Sequence, residues 1–210
     1  MNKPSIVLIG AGGHAQSCVD VIEQEGEFQI AGLVGLPHEV GSNTFGHPVL
    51  GTDSDLPNLQ KEIQYALVTV GQIKTPKPRM TLFQRADQIG FLMPTIVSPR
   101  AYVSPHAILG AGTIVMHGAI INAGAVIGNN CILNSRTLVE HGAAIDDHCH
   151  IATAAIVNGD AKIGAGTFIG SGAGVRESIE IGENCLIGMG QMVLADCPDG
   201  YRMPAGKEKN

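Results

Sequence analysis

From Val97 onward every sixth residue is a branched aliphatic: Val97, Val103, Leu109, Val115, Ile121, Ile127, Leu133, Val139, Ile145, Ile151, Val157, Ile163, Ile169, Val175, Ile181, Ile187 and Val193. Seventeen successive positions obey this rule with no inserted loop. The residue two places before each is usually Ala, Thr or Cys, from Ala101 through Ala173. A period of six fits neither an α-helix nor a coiled coil, but it fits a short strand followed by a turn. Side chains alternate across a strand, so the aliphatic and the small residue two before it point the same way. They face a narrow interior where three strands converge. Gly and Asn suit the corners, where positive φ is often needed. Three hexapeptides close one triangular coil of about 18 residues. The run therefore predicts a parallel β-helix over residues 96–198 of roughly five to six coils, about 25–30 Å tall at a strand spacing of ~4.8 Å.

The first 95 residues follow a different pattern. SIVLIGAGGHAQSCVDVIEQEG predicts a strand, a glycine turn and an amphipathic helix. FQIAGLVG, HPVLG and YALVTVG predict further strands, and TPKPRMTLFQRADQIG a second helix. Alternating strand and helix point to a small parallel sheet of Rossmann type. Pro94 and Pro99 mark the boundary region.

Composition narrows the function classes. Gly supplies 28 residues and Trp none, as expected of an aliphatic core with regular corners. The net charge of −6 lacks the basic stripe that nucleic acid requires. No run of 18 apolar residues exists to form a membrane span. The opening MNKPSIVLIGAGG reads as a first strand and not a signal peptide. The five cysteines include no CxxC pair, which suits a reduced, cytoplasmic setting.

Gly10-Ala11-Gly12-Gly13-His14-Ala15 matches G-x-G-x-x-A. On a strand-to-helix turn this aims backbone N–H groups at a phosphate. A dinucleotide would also need an acid ending the second strand, yet AGLVGLP has none until Glu39. A nucleotide-linked sugar is favoured over NAD, and a turn that merely packs helix on strand is the blander reading.

The stretch VEHGAAIDDHCH, residues 139–150, gathers three histidines and three acids. Val139 and Ile145 point inward in register, so Glu140 and His150 point out, while His141 and His148 fall at corners. His148 reads as a solvated corner, and Asp146-Asp147 as a polar turn. His117 is an outward residue, either on the surface or in a cleft. A zinc site drawn from His117, His141, His148 and His150 is the competing chemistry.

GAGGH at the start, HPVLG at 47–51, ALVTVG at 66–71, NSRTLVEH at 134–141 and MPAGK near the end, joined to uninterrupted hexapeptides, resemble one family. It is the sugar acyltransferases of the sialic acid O-acetyltransferase (NeuD) type. These include N-acetyltransferases that act on UDP-linked 4-amino-4,6-dideoxy sugars, as in bacillosamine synthesis. The resemblance implies a Rossmann-like nucleotide-sugar domain over 1–95, a left-handed β-helix acyltransferase domain over 96–198 and a tail over 199–210. It also implies acetyl-CoA as co-substrate, no metal, and a homotrimer with its sites at subunit clefts. His141 inherits the role of general base and His150 that of an acetyl-CoA contact. Gly12, Gly13, His14, Gly71 and Asn134 inherit the nucleotide-sugar, and Ser171 and Met189 the CoA cleft. Two positions depart from the family. Gly142 stands where an acid often follows the base, leaving Glu140, Asp147 or no acid to support it. Val34-Gly35 stands where the second strand often ends in an acidic pair.

The implied chemistry is direct acetyl transfer from a thioester to a sugar amine or hydroxyl, with a histidine taking the proton. Three other readings remain at this level: O-acetylation of sialic acid or a related sugar, a non-catalytic trimeric scaffold that binds a nucleotide-sugar, and a zinc enzyme like the γ-type carbonic anhydrases.

Overall fold

The computed structural model describes residues 3–205; Gly206 and Lys207 of the MPAGK segment lie outside the described residues. The N-terminal unit runs β1 (Ser5–Ile9), α1 (Gly13–Glu25), β2 (Gln29–Val34), β3 (Asn43–Thr44), β4 (His47–Gly51), α2 (Leu56–Leu59), β5 (Tyr65–Val68) and α3 (Lys77–Ile89). The sheet order is β3-β4-β2-β1-β5. Strands β1, β2, β4 and β5 are parallel, whereas β3 pairs antiparallel with β4. The sheet is therefore mixed and not purely parallel. Two residues are too few to show any periodicity, so β3 left no mark in the hydrophobic pattern.

Helix α1 buries Ala15, Cys18, Val19, Val21 and Ile22, a stripe at helical spacing. It ends at Gly26 in the left-handed region, whose N–H reaches the Ile22 carbonyl. Helices α2 and α3 cover the opposite face of the sheet, over Val7, Ile9, Val34 and Ala66.

The β-helix begins with the strand Ile96–Val97 and has three parallel faces. Face one climbs through Ile114–Val115, Ile132–Leu133, His150–Ile151, Phe168–Ile169 and Leu186–Ile187. Face two runs from Tyr102–Val103 to Met192–Val193, and face three from Ile108–Leu109 to Glu180–Ile181. The aliphatics of the six-residue repeat and the small residues before them form one continuous buried column. From Gly112 to Gly190 every sixth residue has φ between +53° and +76°. Half of these corner residues are not glycine: Asn130, Arg136, His148, Ala154, Asp160, Ser178 and Asn184. The ladders on either side hold them in a conformation that costs roughly 1–3 kcal/mol in isolation.

The α/β unit docks on face one. The outward residues Ile96, Ile114, Met116 and Ile132 join α1 in a single buried cluster. The lower face-one strands are thus apolar on both sides, and each side chain covered in this way is worth roughly 1.5–3 kcal/mol. His117 adds a polar clasp, with Nε2 2.7 Å from Asp20 Oδ2 on α1 and Nδ1 2.6 Å from Ser98 Oγ. It serves neither the solvent nor an open cleft within the chain.

The coil continues beyond residue 198. Arg202–Met203 pairs with Leu186–Ile187, and Met203 packs on the core. The interval from Val193 to Met203 is not a multiple of six, so the periodic reading stopped one rung short of the end.

Candidate active site

Two places in the chain gather chemistry. The first is a cleft of about 620 Å³ at the carboxyl ends of β1, β2 and β5. Here the sheet order places β1 between β2 and β5, the crevice where open α/β sheets bind ligands. Gly12 is the N-cap of α1 and makes no side-chain cap bond, and the first turn holds no acid. The free N–H groups of that turn are therefore open to an anion. Gly10 to His14 and Thr69 to Gly71 form two walls. Pro78, Thr81 and Leu82 of α3 form part of a third.

Glu39 and Asp53 also line this cleft. The Glu39 carboxylate lies directly over Gly35, where a Cβ would come within 2.7 Å of Oε2 and 3.0 Å of Ala11 Cβ. Its Oε2 accepts the Leu36 N–H at 2.7 Å. The Gly at position 35 therefore makes room for an acid delivered from the next turn. That turn follows β2 and carries the first acid after the strand, so the sequence did contain a pointer to Glu39.

His14 lines the cleft and His150 stands beside it, their ring centroids 6.4 Å apart. His14 packs beside Gly71 and has Nε2 3.5 Å from Cys18 Sγ. His150 points out of the prism, as its register requires, but it is buried under the α/β unit. Its Nδ1 lies 2.6 Å from the Gln72 carbonyl, which can only accept, so Nδ1 carries the proton. Nε2 is then the acceptor and faces Asn134 Nδ2 at 3.3 Å. Asn134 is oriented for this by its Oδ1, which accepts the Ser135 N–H at 2.7 Å. Burial, then the Arg79 charge, push His14 down to about 3, and protonation of His150 would oppose its protonation further. Burial, with Arg79 assisting, holds His150 at about 4 although the Gln72 hydrogen bond acts in the opposite direction. Both rings are neutral hydrogen-bonding groups near pH 7.

The second place is the corner between faces two and three. His141 is exposed there, and its ring lies on Gly159, where a Cβ would fall 2.7 Å from Cε1. No carboxylate among the described residues pairs with the His141 imidazole. Glu140 Oε2 accepts instead from Asn122 Nδ2 at 2.9 Å and from the His141 backbone N–H at 3.4 Å. Asp147 accepts from the Asn129 backbone at 2.6 Å, away from this corner. Gly142, with φ of +67°, faces the Asp160 carboxylate.

Of the residues singled out from sequence, Gly12, Gly13, His14 and Gly71 share the cleft, with Asn134 and His150 beside it. Ser171 and exposed Met189 lie on the corner between faces one and two. His141 and Glu140 stand one corner further round, across face two. His148 is half-buried beneath Phe83 of α3, at a ring separation of 5.6 Å, with Nδ1 2.9 Å from Asn130 Nδ2. It is not a solvated corner, because α3 covers it. Sequence reading overlooked Arg79, Gln72 and Asp53; a lone polar residue on a helix or loop carries no periodic signal of burial.

Comparisons with known proteins bear on the fold and the family. A model of the PglD N-terminal domain matches residues 5–85, and a bacterial transferase hexapeptide (six repeats) model matches residues 160–190. A histidine-to-asparagine variant of perosamine N-acetyltransferase from Caulobacter crescentus, in complex with CoA and GDP-perosamine, is 32% identical with a TM-score of 0.89, over 94% of this chain and 92% of that one. The acetyltransferase domain of PglB from Neisseria gonorrhoeae FA1090, in complex with acetyl coenzyme A, is 31% identical with a TM-score of 0.87, over 96% of each chain. WeeI from Acinetobacter baumannii AYE, at 19% identity and a TM-score of 0.83 over 96% of this chain and 97% of that one, shares the fold. A search of curated proteins finds no match.

Proposed function

Because the chain belongs to the sugar N-acetyltransferases of the left-handed β-helix superfamily, we propose that it acetylates the C4 amine of a nucleotide-linked 4-amino-4,6-dideoxy sugar, using acetyl-CoA. The diphosphate rests on the first turn of α1, at Gly12 and Gly13. Glu39 accepts hydrogen bonds from the ribose hydroxyls, and the sugar extends past Gly71 toward His14 and Asn134. His150, Ser171 and Met189 line the path of the acetyl-CoA.

His141 is the proposed base. The neutral amine attacks the thioester carbonyl carbon, forming the C–N bond. His141 takes the proton from nitrogen, the C–S bond breaks, and the proton passes to the departing CoA thiolate. His14 and His150 are too weakly basic for this task, because a base is most effective with a pKa near the working pH.

The single observation that carries this reading is that His141 stands at the corner between faces two and three, whereas the cleft is lined by the α/β unit alone, which docks on face one. On this reading one chain alone cannot bring both to one substrate. A neighbouring β-helix packed alongside can, which makes the working form a homotrimer with its sites in the clefts between subunits. Exposed apolar residues flank the His141 corner on both faces, Tyr102, Ile120 and Ile156 on one and Ile108 and Val126 on the other. A patch of this kind marks an interface.

The experiment is a thiol-release screen with acetyl-CoA against UDP- and GDP-linked 4-amino and non-aminated sugars, with sialic acid as a separate acceptor. Turnover on one 4-amino nucleotide-sugar and a trimer by sedimentation equilibrium are the expected results. Turnover on sialic acid alone, or a monomer that is fully active, overturns the reading.

A further inference from the structure

Arg79 is fully buried, and no carboxylate among the described residues pairs with it. It sits in the first turn of α3, where a cation meets the positive end of the helix dipole. A buried charge with no counter-ion is costly, and an apolar side chain of similar volume is usually the more stable choice. Stability therefore does not account for an arginine here. Its partners do.

Nη1 donates to the carbonyls of Val68 at 2.6 Å and Val70 at 3.1 Å, and Nε donates to the Asn130 carbonyl at 3.2 Å. Val68 ends β5, Val70 lines the cleft, and Asn130 is a corner of the β-helix. One planar guanidinium thus ties the last strand of the α/β unit to the prism. The segment it grips has two further anchors. Thr69 Oγ1 donates to the Gly10 carbonyl at 2.7 Å, and Gln72 Nε2 donates to the Gly166 carbonyl at 3.1 Å. Gln72 in turn offers its carbonyl to His150 Nδ1. The cleft wall at Val70 and Gly71 and the orientation of the His150 ring therefore depend on the same five residues.

We propose that Arg79 is a positioning residue for acetyl transfer: it locks the Val68–Gln72 segment so that the nucleotide-sugar wall and the His150 ring are held in register across the two units. This rests on the function proposed above. The charge adds a second effect. His14 and Cys18 on α1, and Cys131, His148 and His150 on the β-helix, surround the guanidinium. The cation disfavours protonation of all three histidines, which preserves the Nδ1–H tautomer that His150 needs. Nη2, Asn130 Oδ1 and Gln72 Oε1 have no partner among the described residues, so this junction has polar capacity beyond what the clamp uses.

The test compares Arg79→Met and Arg79→Lys with wild type. Steady-state kinetics give KM for the nucleotide-sugar, and an NMR titration of the His150 ring reads its protonation without substrate. Arg79→Met is expected to raise KM about tenfold or more and to move the His150 titration upward from about 4. Arg79→Lys keeps the charge but loses the fork, because one ammonium cannot span three carbonyls in a plane. It is expected to raise KM similarly while leaving the titration near the wild-type position. Wild-type KM in Arg79→Lys, or in a folded Arg79→Met, overturns the proposal. If wild type turns over no nucleotide-sugar at all, the functional reading fails. The inference is then judged on His150 alone, and an unmoved titration with the Gln72 hydrogen bond intact in Arg79→Met sinks it.

Discussion

His141 and His150 lie nine residues apart in the chain, yet the fold gives them opposite environments. His150 is buried under the α/β unit, its tautomer set by the Gln72 carbonyl and its protonation suppressed by burial and Arg79. His141 is exposed at a corner, with no side-chain partner among the described residues and a glycine beneath its ring. Residue type alone does not assign a role. A desolvated imidazole with low basicity is suited to holding a group by hydrogen bonds, whereas an accessible one can exchange a proton.

The contrast can be broken in four ways, and the largest effect comes first. His141→Ala is expected to lower kcat by roughly 10²–10⁴ with the oligomer intact, as read by steady-state kinetics beside sedimentation. His150→Ala should not abolish proton transfer in the same way, and its pH profile should keep the wild-type shape. The second concerns stability and pH. His14 and His150 have folded pKa values depressed to about 3 and about 4, against 6.5 when unfolded. As pH falls below 6.5 the unfolded chain binds protons that the folded chain refuses, so stability is present above that value and declines toward pH 4. For His150 alone the loss is on the order of 3 kcal/mol. Urea midpoints measured from pH 7.5 to 4.5 should fall, and should fall less in His150→Gln; a flat profile means that these rings are not desolvated.

A third prediction concerns the acid in the cleft. Glu39→Ala should raise KM for the nucleotide-sugar about tenfold and leave kcat nearly unchanged, because the ribose is remote from the reacting amine. Placing the acid back on the strand, as Gly35→Asp with Glu39→Ala, should recover much of the loss. The fourth and smallest effect is the most direct evidence for a shared site. Subunits of His141→Ala and His14→Ala, denatured together and refolded in equal amounts, should regain about one quarter of wild-type turnover if each site draws one histidine from each of two chains. Complementation at zero would place the whole site inside one chain.

Much of the architecture was legible from periodicity. A repeat of six with an unbroken aliphatic column allows few alternatives, and the buried column contains the residues that the period selects. The GxGGH turn, Gly71 and the 134–150 segment were visible as motifs. Hidden from that reading were β3, the rung at Arg202–Met203, and polar residues such as Arg79 and Gln72 whose surroundings come from distant partners. Asp20, Ser98 and His117 form one clasp across sequence separations of 97 and 19 residues, and no local pattern encodes such a meeting.

The sequence by itself determined the prism, because inward and outward positions on a strand alternate and a period of six permits only one closed arrangement of aliphatics and corners. It also marked which segments are candidates to carry chemistry. Tertiary structure alone decided the surroundings of those side chains. Docking of the α/β unit on face one removed His150 and Arg79 from water while leaving His141 in it, and desolvation, which depends on neighbours brought together from across the chain, sets how an imidazole behaves.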